Sequence, residues 1–473
     1  MKKAIIRRVL TVSVSAVLLL TSGCGLPSYE GFSLPPEKPS TLSADSSYYV
    51  ERNFDSVAPT VQTTVRTFTS EDGLCVIEQK PSYYEVTLDY DKGSPYEVGA
   101  AYGRTILQMA PGYPVLVEGY LLELIHGLMG EQDTYDELMA RISSLKGALD
   151  TDYQQELEGF AAAISNGEHT ITADGKLSYE EAVLLSMVPD ALRATACSAM
   201  TVNGNRTASG HRIAARVLEW DLGSEGQLNS AHCVTHFCRS GQSFTTVGLL
   251  GMFSILTAVN EYGVMTGELD VGSTAGKPFV CTGKTCYTYD LRHIMEYCHS
   301  AKDAADYLCK RSGYYAYSFN ALVVDDRDAL CVELPADAEE GSPVVRDSHT
   351  ELVDGLTWRD PDCLCIINSF VAKEHPEQML TVPSNLIRWK KYEELFCSSS
   401  EKLSLNRFKA LMTAEKVKDS PVYNFRSELM VHMAVVDFDT HRVQVLFSGK
   451  EDPDAIEWID LGAWYDTDGS GTP

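Results

Sequence analysis

The order of apolar and polar positions along the chain predicts successive regions of different secondary structure. Between about 60 and 92, residues alternate in places, as at Val61, Thr63 and Val65, and this alternation predicts short strands. From 94 to 192 the pattern becomes mostly helical. Three capping boxes, each a hydroxyl residue followed three positions later by glutamate, predict helix starts: Ser94 with Glu97, Thr134 with Glu137, and Ser178 with Glu181.

The pattern changes again at Cys197, where a strand-rich region begins. The stretch 197–202 predicts a strand, 203–205 a hairpin turn and 206–208 a short return, and a second turn then leads into a strand at 211–218. Other apolar runs predict further elements: strands at 244–250, 321–324, 329–333, 363–367, 433–438 and 443–447, and helices at 289–298 and 301–309. Strands in two groups with helices between them predict a layered α+β fold.

The first residues predict export. Basic residues come first: Lys2, Lys3, Arg7 and Arg8. An apolar run over 9–20 follows, which is too short to span a membrane comfortably. The run ends in small residues before Cys24, and this ending resembles the lipobox of bacterial lipoproteins.

That resemblance implies that residues 1–23 are a signal peptide and that Cys24 carries a lipid anchor on the outer face of a bacterial cell membrane. Residues 24–50, rich in Pro and Ser, are then expected to be a tether. An ordinary cleaved signal and an uncleaved anchor remain alternatives, with a periplasmic or extracellular location. Export follows from every version.

Composition limits the partners. The 39 basic and 66 acidic residues give a formal charge of −27, and such an acidic surface repels phosphate backbones, so nucleic acid is not expected as a partner. Of the 13 cysteines, Cys233 with Cys238 and Cys281 with Cys286 are close enough in sequence to bridge. Neither pair has zinc-site spacing, so we expect no metal or other cofactor and interpret most cysteines as small buried hydrophobic residues.

One group of residues could carry chemistry. Cys197 opens a strand, and Arg216 lies 19 residues later, followed by Glu219 and Asp221. Two strands joined by tight turns can bring these residues side by side, and a guanidinium beside a thiol favours the thiolate. On spacing alone, a buried structural cysteine is the better interpretation.

Several motifs carry a resemblance to a known family. They are 196–198, 206–210 and 215–221 around the cysteine, 259–264, 367–369 and 384–388 further on, and 96–99 and 156–161 upstream. In this order they resemble the choloylglycine hydrolase and acyl-coenzyme A:6-aminopenicillanic acid acyltransferase group of N-terminal-nucleophile hydrolases. The resemblance covers roughly residues 90 to 450, and the order of the motifs is far more specific than any one of them.

The resemblance implies a four-layer αββα sandwich over 197–460, preceded by a mostly helical propeptide or small chain at 51–196 and followed by an acidic tail at 461–473. It implies self-cleavage between Ala196 and Cys197, after which the freed α-amino group acts as the base for the thiol of Cys197. The upstream chain is expected to stay bound, because helices with apolar faces rarely leave on their own.

Site roles also follow from the resemblance. Arg216 would hold the thiolate, Glu219 would bind the α-ammonium, and Asn368 would lie near the nucleophile. Glu219 stands where the group has Asp, so Asp221 is an alternative for this role.

Two further positions depart from the family pattern. Asp270 stands where the group has its oxyanion Asn, so it would have to be protonated, or a backbone N–H must serve instead. Asn385 stands where one branch has Arg, and Arg388 is the expected substitute.

The function that these expectations describe is hydrolysis of a linear, non-peptide amide with an apolar acyl part, through a thioester on Cys197. The substrate is expected to be a small molecule. An acyltransferase that uses the same thioester is one alternative. A lipoprotein that captures substrate without chemistry is another, and it is favoured by Asp270 and Glu219.

Overall fold

The computed structural model describes residues 58–129, 134–165, 174–192, 195–272, 280–336, 342–375, 383–397, 399–413, 429–449 and 456–464. The predicted signal peptide, Cys24 and the tether at 24–50 lie outside these residues. Within the described ranges, no helix combines the length and the apolar character that a membrane span requires.

The first part of the chain is helical after residue 94, as predicted. Its helices are α1 (Pro95–Met109), α2 (Tyr113–Met129), α3 (Thr134–Gly147), α4 (Thr151–Ile164), α5 (Tyr179–Leu185) and α6 (Val188–Leu192). The capping boxes at Ser94 and Ser178 are present, because each serine accepts a hydrogen bond from the glutamate N–H and the glutamate carboxylate accepts one from the serine N–H. The third predicted box falls on Thr134, whose side chain lies outside the described part.

The described strands form two sheets. In chain order they are β1 (Arg66–Thr69), β2 (Cys75–Gln79), β3 (Tyr84–Asp89), β4 (Thr195–Val202), β5 (Ile213–Trp220), β6 (His232–Cys238), β7 (Phe244–Leu249), β8 (Thr257–Asn260), β9 (Met265–Gly272), β10 (Ser318–Val324), β11 (Ala329–Leu334), β12 (Val344–Arg346), β13 (Cys363–Ile366), β14 (Met430–Asp437), β15 (Arg442–Phe447) and β16 (Ile459–Ala463). The larger sheet has ten strands in the order β1-β2-β3-β6-β7-β8-β9-β10-β11-β12, and the smaller has six in the order β13-β4-β5-β14-β15-β16. The later helices are α7 (Tyr287–Tyr297), α8 (Ala301–Arg311), α9 (Pro383–Cys397) and α10 (Leu405–Met412).

Alternation along β14 shows how the layers stack. Met433 and Val435 pack on one side, in a cluster with Trp389 of α9. Ala434 points to the other side and packs with Val234 of the larger sheet. Helices α1, α7 and α8 cover the outer face of the larger sheet. The layers are therefore helices, six-stranded sheet, ten-stranded sheet and helices, and the predicted αββα sandwich is confirmed.

Residues upstream of Cys197 are built into this sandwich. Strand β3 pairs in parallel with β6, from Tyr84 beside Cys233 to Asp89 beside Cys238, and so β1 to β3 extend the larger sheet. Thr60 N–H donates to the carbonyl of Trp458 at 2.8 Å, so the same stretch also reaches the smaller sheet. The short strands predicted between 60 and 92 are thus present, and they supply three of the ten strands of the larger sheet.

Two of the upstream helices, α1 and α4, cross with their backbones in contact. A Cβ atom added at Gly99 would lie 2.1 Å from the carbonyl oxygen of Glu156, and one at Gly159 would lie 2.0 Å from that of Tyr96. Only glycine fits such a crossing. The two upstream motifs of the sequence, 96–99 and 156–161, therefore meet at this contact.

The structure differs from the sequence prediction at several strand ends. Strand β4 begins at Thr195 and not at Cys197, so the peptide bond between Ala196 and Cys197 lies inside a paired strand. Strand β16 extends to Ala463, into the stretch 461–473 that was expected to be tail. Strands β6, β8, β9, β12 and β16 were not predicted. Polar residues interrupt the apolar patterns of β6 and β9, and β8, β12 and β16 are only four, three and five residues long.

All twelve cysteines of the described residues are free thiols, and nine of them are buried. Neither of the two pairs that are close in sequence forms a disulfide. The interpretation of most cysteines as small buried residues is therefore confirmed. Among the described residues no group of His, Cys, Asp and Glu is arranged to hold a metal ion.

Candidate active site

The thiol of Cys197 faces the gap between the two sheets. Cys197 pairs with Leu218 of β5, and Ala199 pairs with Arg216, so Cys197 and Arg216 are diagonal neighbours on the same face of the smaller sheet. Both side chains are fully buried. Arg216 Nη2 donates a hydrogen bond to Cys197 Sγ at 3.0 Å.

Strand β9 of the larger sheet contacts Arg216 from the side opposite the smaller sheet. Arg216 Nη2 also donates to the carbonyl oxygen of Glu268 at 2.6 Å, and Glu268 Oε2 lies 3.9 Å from the same nitrogen. Gly267 leaves the space that the arginine occupies, because a Cβ atom there would lie 2.6 Å from Arg216 Cγ. Glu268 was not predicted as a site residue.

The backbone of Cys197 is held by side chains on both sides. Its N–H donates to Asn368 Oδ1 at 2.8 Å, and its carbonyl oxygen accepts from Arg388 Nη1 at 3.2 Å. Asn368 follows strand β13, which pairs with β4. Asn368 Nδ2 donates to the carbonyl oxygen of Asp270 at 2.6 Å, so this amide joins the two sheets beside the cysteine.

Helix α9 supplies the cation on the other face of β4. Arg388 Nη2 donates to Asn368 Oδ1 and to Asn385 Oδ1, each at 2.8 Å. Asn385 in turn donates to the carbonyl oxygen of Asn368 at 2.8 Å. Asn385 and Arg388 are three residues apart on one helix face, so a single helix fixes both.

Glu219 is the acidic residue beside Arg388. Its side chain is buried, and its Oε2 lies 3.4 Å from Arg388 Nη1. Arg388 Nη1 also donates to Ser198 Oγ at 3.2 Å, and that hydroxyl lies 3.2 Å from the hydroxyl of Tyr392. Ser198 and Tyr392 were not predicted, because nothing in their spacing links them to the cysteine.

Asp221 does not join the cluster, so the structure corrects this alternative. Strand β5 ends at Trp220, and Asp221 is exposed in the turn that follows, where its carboxylate accepts a hydrogen bond from Gly223 N–H at 2.9 Å. Asp270 lies near the Cys197 cluster. Its side chain is buried, and its carbonyl oxygen accepts a hydrogen bond from Asn368. Of the two acidic candidates after Arg216, the structure places Glu219 in the site.

The thiol of Cys197 is protonated at neutral pH in the uncut chain. Burial raises its pKa to about 12. Arg216 and the Glu219 backbone N–H lower this pKa, whereas Glu268 raises it. The arrangement can therefore hold a thiol beside a cation, and it fixes the N and O atoms of the same residue.

Two cavities lie apart from this cluster. One, of about 350 Å³, is lined by Arg346, Trp358 and Trp389, and the other, of about 310 Å³, by Tyr90 and Arg292 among others. Cys197 lines neither of them. The Cys197 side chain has no exposed surface.

The last upstream helix, α6, is fixed close to the start of β4. Asp190 accepts a hydrogen bond from the hydroxyl of Thr288 at the start of α7, and the hydroxyl of Tyr317 donates to the carbonyl oxygen of Pro189. Burial raises the pKa of Asp190 to about 7, although the backbone N–H groups of Tyr287 and Thr288 lower it. Asp190 thus anchors the segment that leads to Ala196.

Replacing Asp190 with asparagine is expected to remove a pH dependence of stability. Because the folded-state pKa is raised, this carboxyl stabilises the fold fully below about pH 4, and the contribution is lost as the pH rises to about 7. A shift of this size corresponds to about 4 kcal/mol at most. Urea unfolding measures the free energy of unfolding at pH 4 and at pH 7.5. The decrease between these two pH values should be smaller for Asp190→Asn than for the unmodified protein. Asp152→Asn, at an exposed site, is the control. An equal decrease in the free energy of unfolding in all three proteins would contradict a raised pKa at Asp190.

Comparison with known proteins gives structural neighbours only. No protein-family model and no curated protein sequence matches the chain. An N-acylethanolamine-hydrolyzing acid amidase ortholog from Caenorhabditis elegans is similar at 13% identity and a TM-score of 0.35, over 51% of this chain and 92% of that one. A mutant of the conjugated bile acid hydrolase from Clostridium perfringens is similar at 9% identity and a TM-score of 0.33, over 56% of this chain and 96% of that one.

Penicillin V acylase from Agrobacterium tumefaciens is similar at 10% identity and a TM-score of 0.31, over 56% of this chain and 86% of that one. These neighbours are N-terminal-nucleophile hydrolases of the choloylglycine hydrolase group, which the sequence motifs of this chain resemble. With TM-scores of 0.35 or below, the likenesses assign neither a family nor an activity to this chain.

Proposed function

We propose that this chain is an exported lipoprotein that hydrolyses linear amide bonds, with Cys197 as an N-terminal nucleophile. One observation carries the proposal: Arg216 lies 3.0 Å from the thiol of Cys197, while Asn368 Oδ1 accepts the backbone N–H of the same residue at 2.8 Å. A purely structural cysteine needs neither contact. A nucleophile that uses its own amino group as base needs both its sulfur and its nitrogen held in place.

Self-cleavage is the first step of the proposed activity. The thiol of Cys197 adds to the carbonyl carbon of Ala196, the thiol proton passes to the nitrogen of Cys197, and the C–N bond breaks to leave a thioester. Water then hydrolyses the resulting thioester, which leaves a carboxylate on Ala196 and a free α-amino group on Cys197. Asn368 already binds the nitrogen that becomes this amino group.

Amide hydrolysis repeats the same chemistry on a substrate. The α-amino group, whose reference pKa is about 7.7 to 8.0, takes the thiol proton as sulfur attacks the amide carbonyl. The amine leaves with that proton, and water releases the acid from the thioester. Arg216 stabilises the thiolate, and Glu219, on the Arg388 side of β4, is the carboxylate proposed to bind the α-ammonium. Asp270 could donate to an oxyanion only when its carboxyl group is protonated.

The upstream chain is proposed to remain after cleavage as a permanent part of the enzyme. The pairing of β3 with β6 and the Asp190 contact with α7 would both have to break for residues 58–192 to leave. A sheet without β1 to β3 would expose the edge of β6 to water. Export and the lipid anchor on Cys24 are proposed from the sequence of residues 1–24.

Trapping an acyl group on Cys197 tests this function. The full-length protein is incubated with conjugated bile salts, penicillins and acylated amino acids, and the peptide that contains Cys197 is weighed after an acid quench. We expect an added acyl mass together with released amine for at least one class. Cys331→Ala, which removes another buried cysteine close to an arginine, should retain the adduct, and Cys197→Ala should lose it.

The outcomes separate the alternatives. Binding of an amide without an adduct or released amine would show a protein that captures substrate without chemistry. Transfer of the acyl group to an added second amine in preference to water would show an acyltransferase. Adducts that persist in Cys197→Ala would exclude Cys197 as the nucleophile.

A further inference from the structure

Glu268 lies directly behind the cation that contacts the thiol. Its side chain is fully buried on β9, and its Oε2 is 3.9 Å from Arg216 Nη2. The same nitrogen donates to Cys197 Sγ and to the carbonyl oxygen of Glu268. One nitrogen atom therefore links the nucleophile of the smaller sheet to a carboxylate of the larger sheet.

The packing holds this charge pair in place. Gly267 pairs with Leu322 of β10 and with Thr257 of β8, so Glu268 belongs to an inner strand of the sheet. Arg216 lies against Gly267, where any larger residue would collide with its Cγ atom. Close packing on both sides therefore restricts the movement of the guanidinium away from β9.

The charge of Glu268 affects the thiol of Cys197 because few other charged groups face the two residues. The groups that face Glu268 are Arg216 of β5, Cys197 of β4, Tyr287 of α7 and Tyr317 before β10. Cys197 also faces Glu219, and His432 of β14 faces Arg216. Burial and Arg216 hold the pKa of His432 well below its usual value, so Arg216 is the cation of this set at neutral pH.

We propose that Glu268 is a positioning residue of the Cys197 site, whose buried carboxylate offsets the charge of Arg216 and so limits how strongly that arginine stabilises a thiolate. The inference rests on the proposed function and deepens it. A thiol that keeps its proton reacts slowly with electrophiles in general, and after self-cleavage the freed α-amino group supplies the base that removes this proton. The carboxylate therefore couples the reactivity of Cys197 to its own amino group.

The test replaces Glu268 with glutamine, which keeps the shape of the side chain and removes its charge. Full-length protein is treated with iodoacetamide at pH 7, 8 and 9, and the rate at which the Cys197 peptide is labelled is followed by mass spectrometry. We expect labelling to be about tenfold faster in Glu268→Gln at each pH, because lowering the thiol pKa by about one unit raises the thiolate fraction tenfold. Glu268→Asp, which keeps the charge, should stay close to the unmodified protein.

Two controls distinguish an effect of the Glu268 charge on Cys197 from a general loosening of the fold. The Cys331 peptide of the same sample reports opening of the core, and Glu156→Gln removes the charge from another buried glutamate, which pairs with Arg292. Faster labelling of both Cys197 and Cys331, or an unchanged labelling rate at Cys197, would overturn the proposal. The labelling needs no substrate and can be read in cut or uncut protein. If Cys197 shows the faster labelling but no amide is hydrolysed, the proposed function fails while the role of Glu268 stands.

Discussion

Replacing Arg216 with methionine is expected to slow acylation of Cys197 by about 100-fold and to destabilise the fold. The thiolate loses its hydrogen-bond donor, and loss of one preorganised donor in a closed site has an effect of this size. Glu268 also loses the cation that balances it, and breaking a buried charge pair costs about 3 to 5 kcal/mol. The two effects are measured as the rate of thioester formation and as the urea midpoint of unfolding.

A matched variant separates the loss of stability from the loss of chemistry. Arg292→Met breaks another buried pair, in which Arg292 binds Glu156 and Glu296 and makes no described contact with Cys197. It should lose comparable stability and, below its unfolding temperature, keep the acylation rate. Equal rates in the two variants would mean that Arg216 contributes only to packing. Iodoacetamide labelling of Cys197 should slow in Arg216→Met, opposite to the change in Glu268→Gln.

Replacing Gly159 with alanine is expected to give the second large effect, on stability alone. Its Cβ atom would lie 2.0 Å from the carbonyl oxygen of Tyr96, and the obstacle is backbone that cannot rotate away. Helices α1 and α4 would have to separate, with an expected cost of about 3 kcal/mol. Because α1 covers the part of the sheet that β1 to β3 supply, and α4 packs on α1, we expect the upstream chain to loosen first. Thermal unfolding and amide hydrogen exchange of residues 95–164 measure both effects.

Gly119→Ala is the matched control for this helix crossing. Gly119 lies inside α2 with open space around its missing Cβ. Alanine there should be neutral or stabilise the fold by up to about 1 kcal/mol. If the two alanine variants unfold at the same temperature, the close crossing at Gly159 is not a feature of the protein in solution.

The contact between Cys197 and Arg216 could be predicted because it is local. They lie 19 positions apart on two strands joined by tight turns, and the pairing of such strands follows from their alternation. The end of strand β5 explains why Glu219 and not Asp221 enters the site. Glu219 is still inside β5, on the face toward α9, whereas Asp221 comes after the strand has ended.

Glu268 could not be predicted, because it approaches from the other sheet. No spacing in the sequence relates it to Cys197, and its strand β9 is too polar to show a clear apolar pattern. Arg388 was named from its position in a motif, but its contacts with Asn368 and Glu219 depend on how α9 packs on the smaller sheet. The strands β1 to β3 could be predicted as strands, whereas their place beside β6 required a parallel crossover of more than 140 residues.

Intact mass of the full-length protein tests the central claim most directly. The account predicts two species that divide between Ala196 and Cys197 and remain together through purification. It predicts a single uncut chain for Cys197→Ala, and cleavage as usual for Cys331→Ala. A single uncut chain in the unmodified protein, under conditions where it is folded, would contradict an N-terminal nucleophile at Cys197.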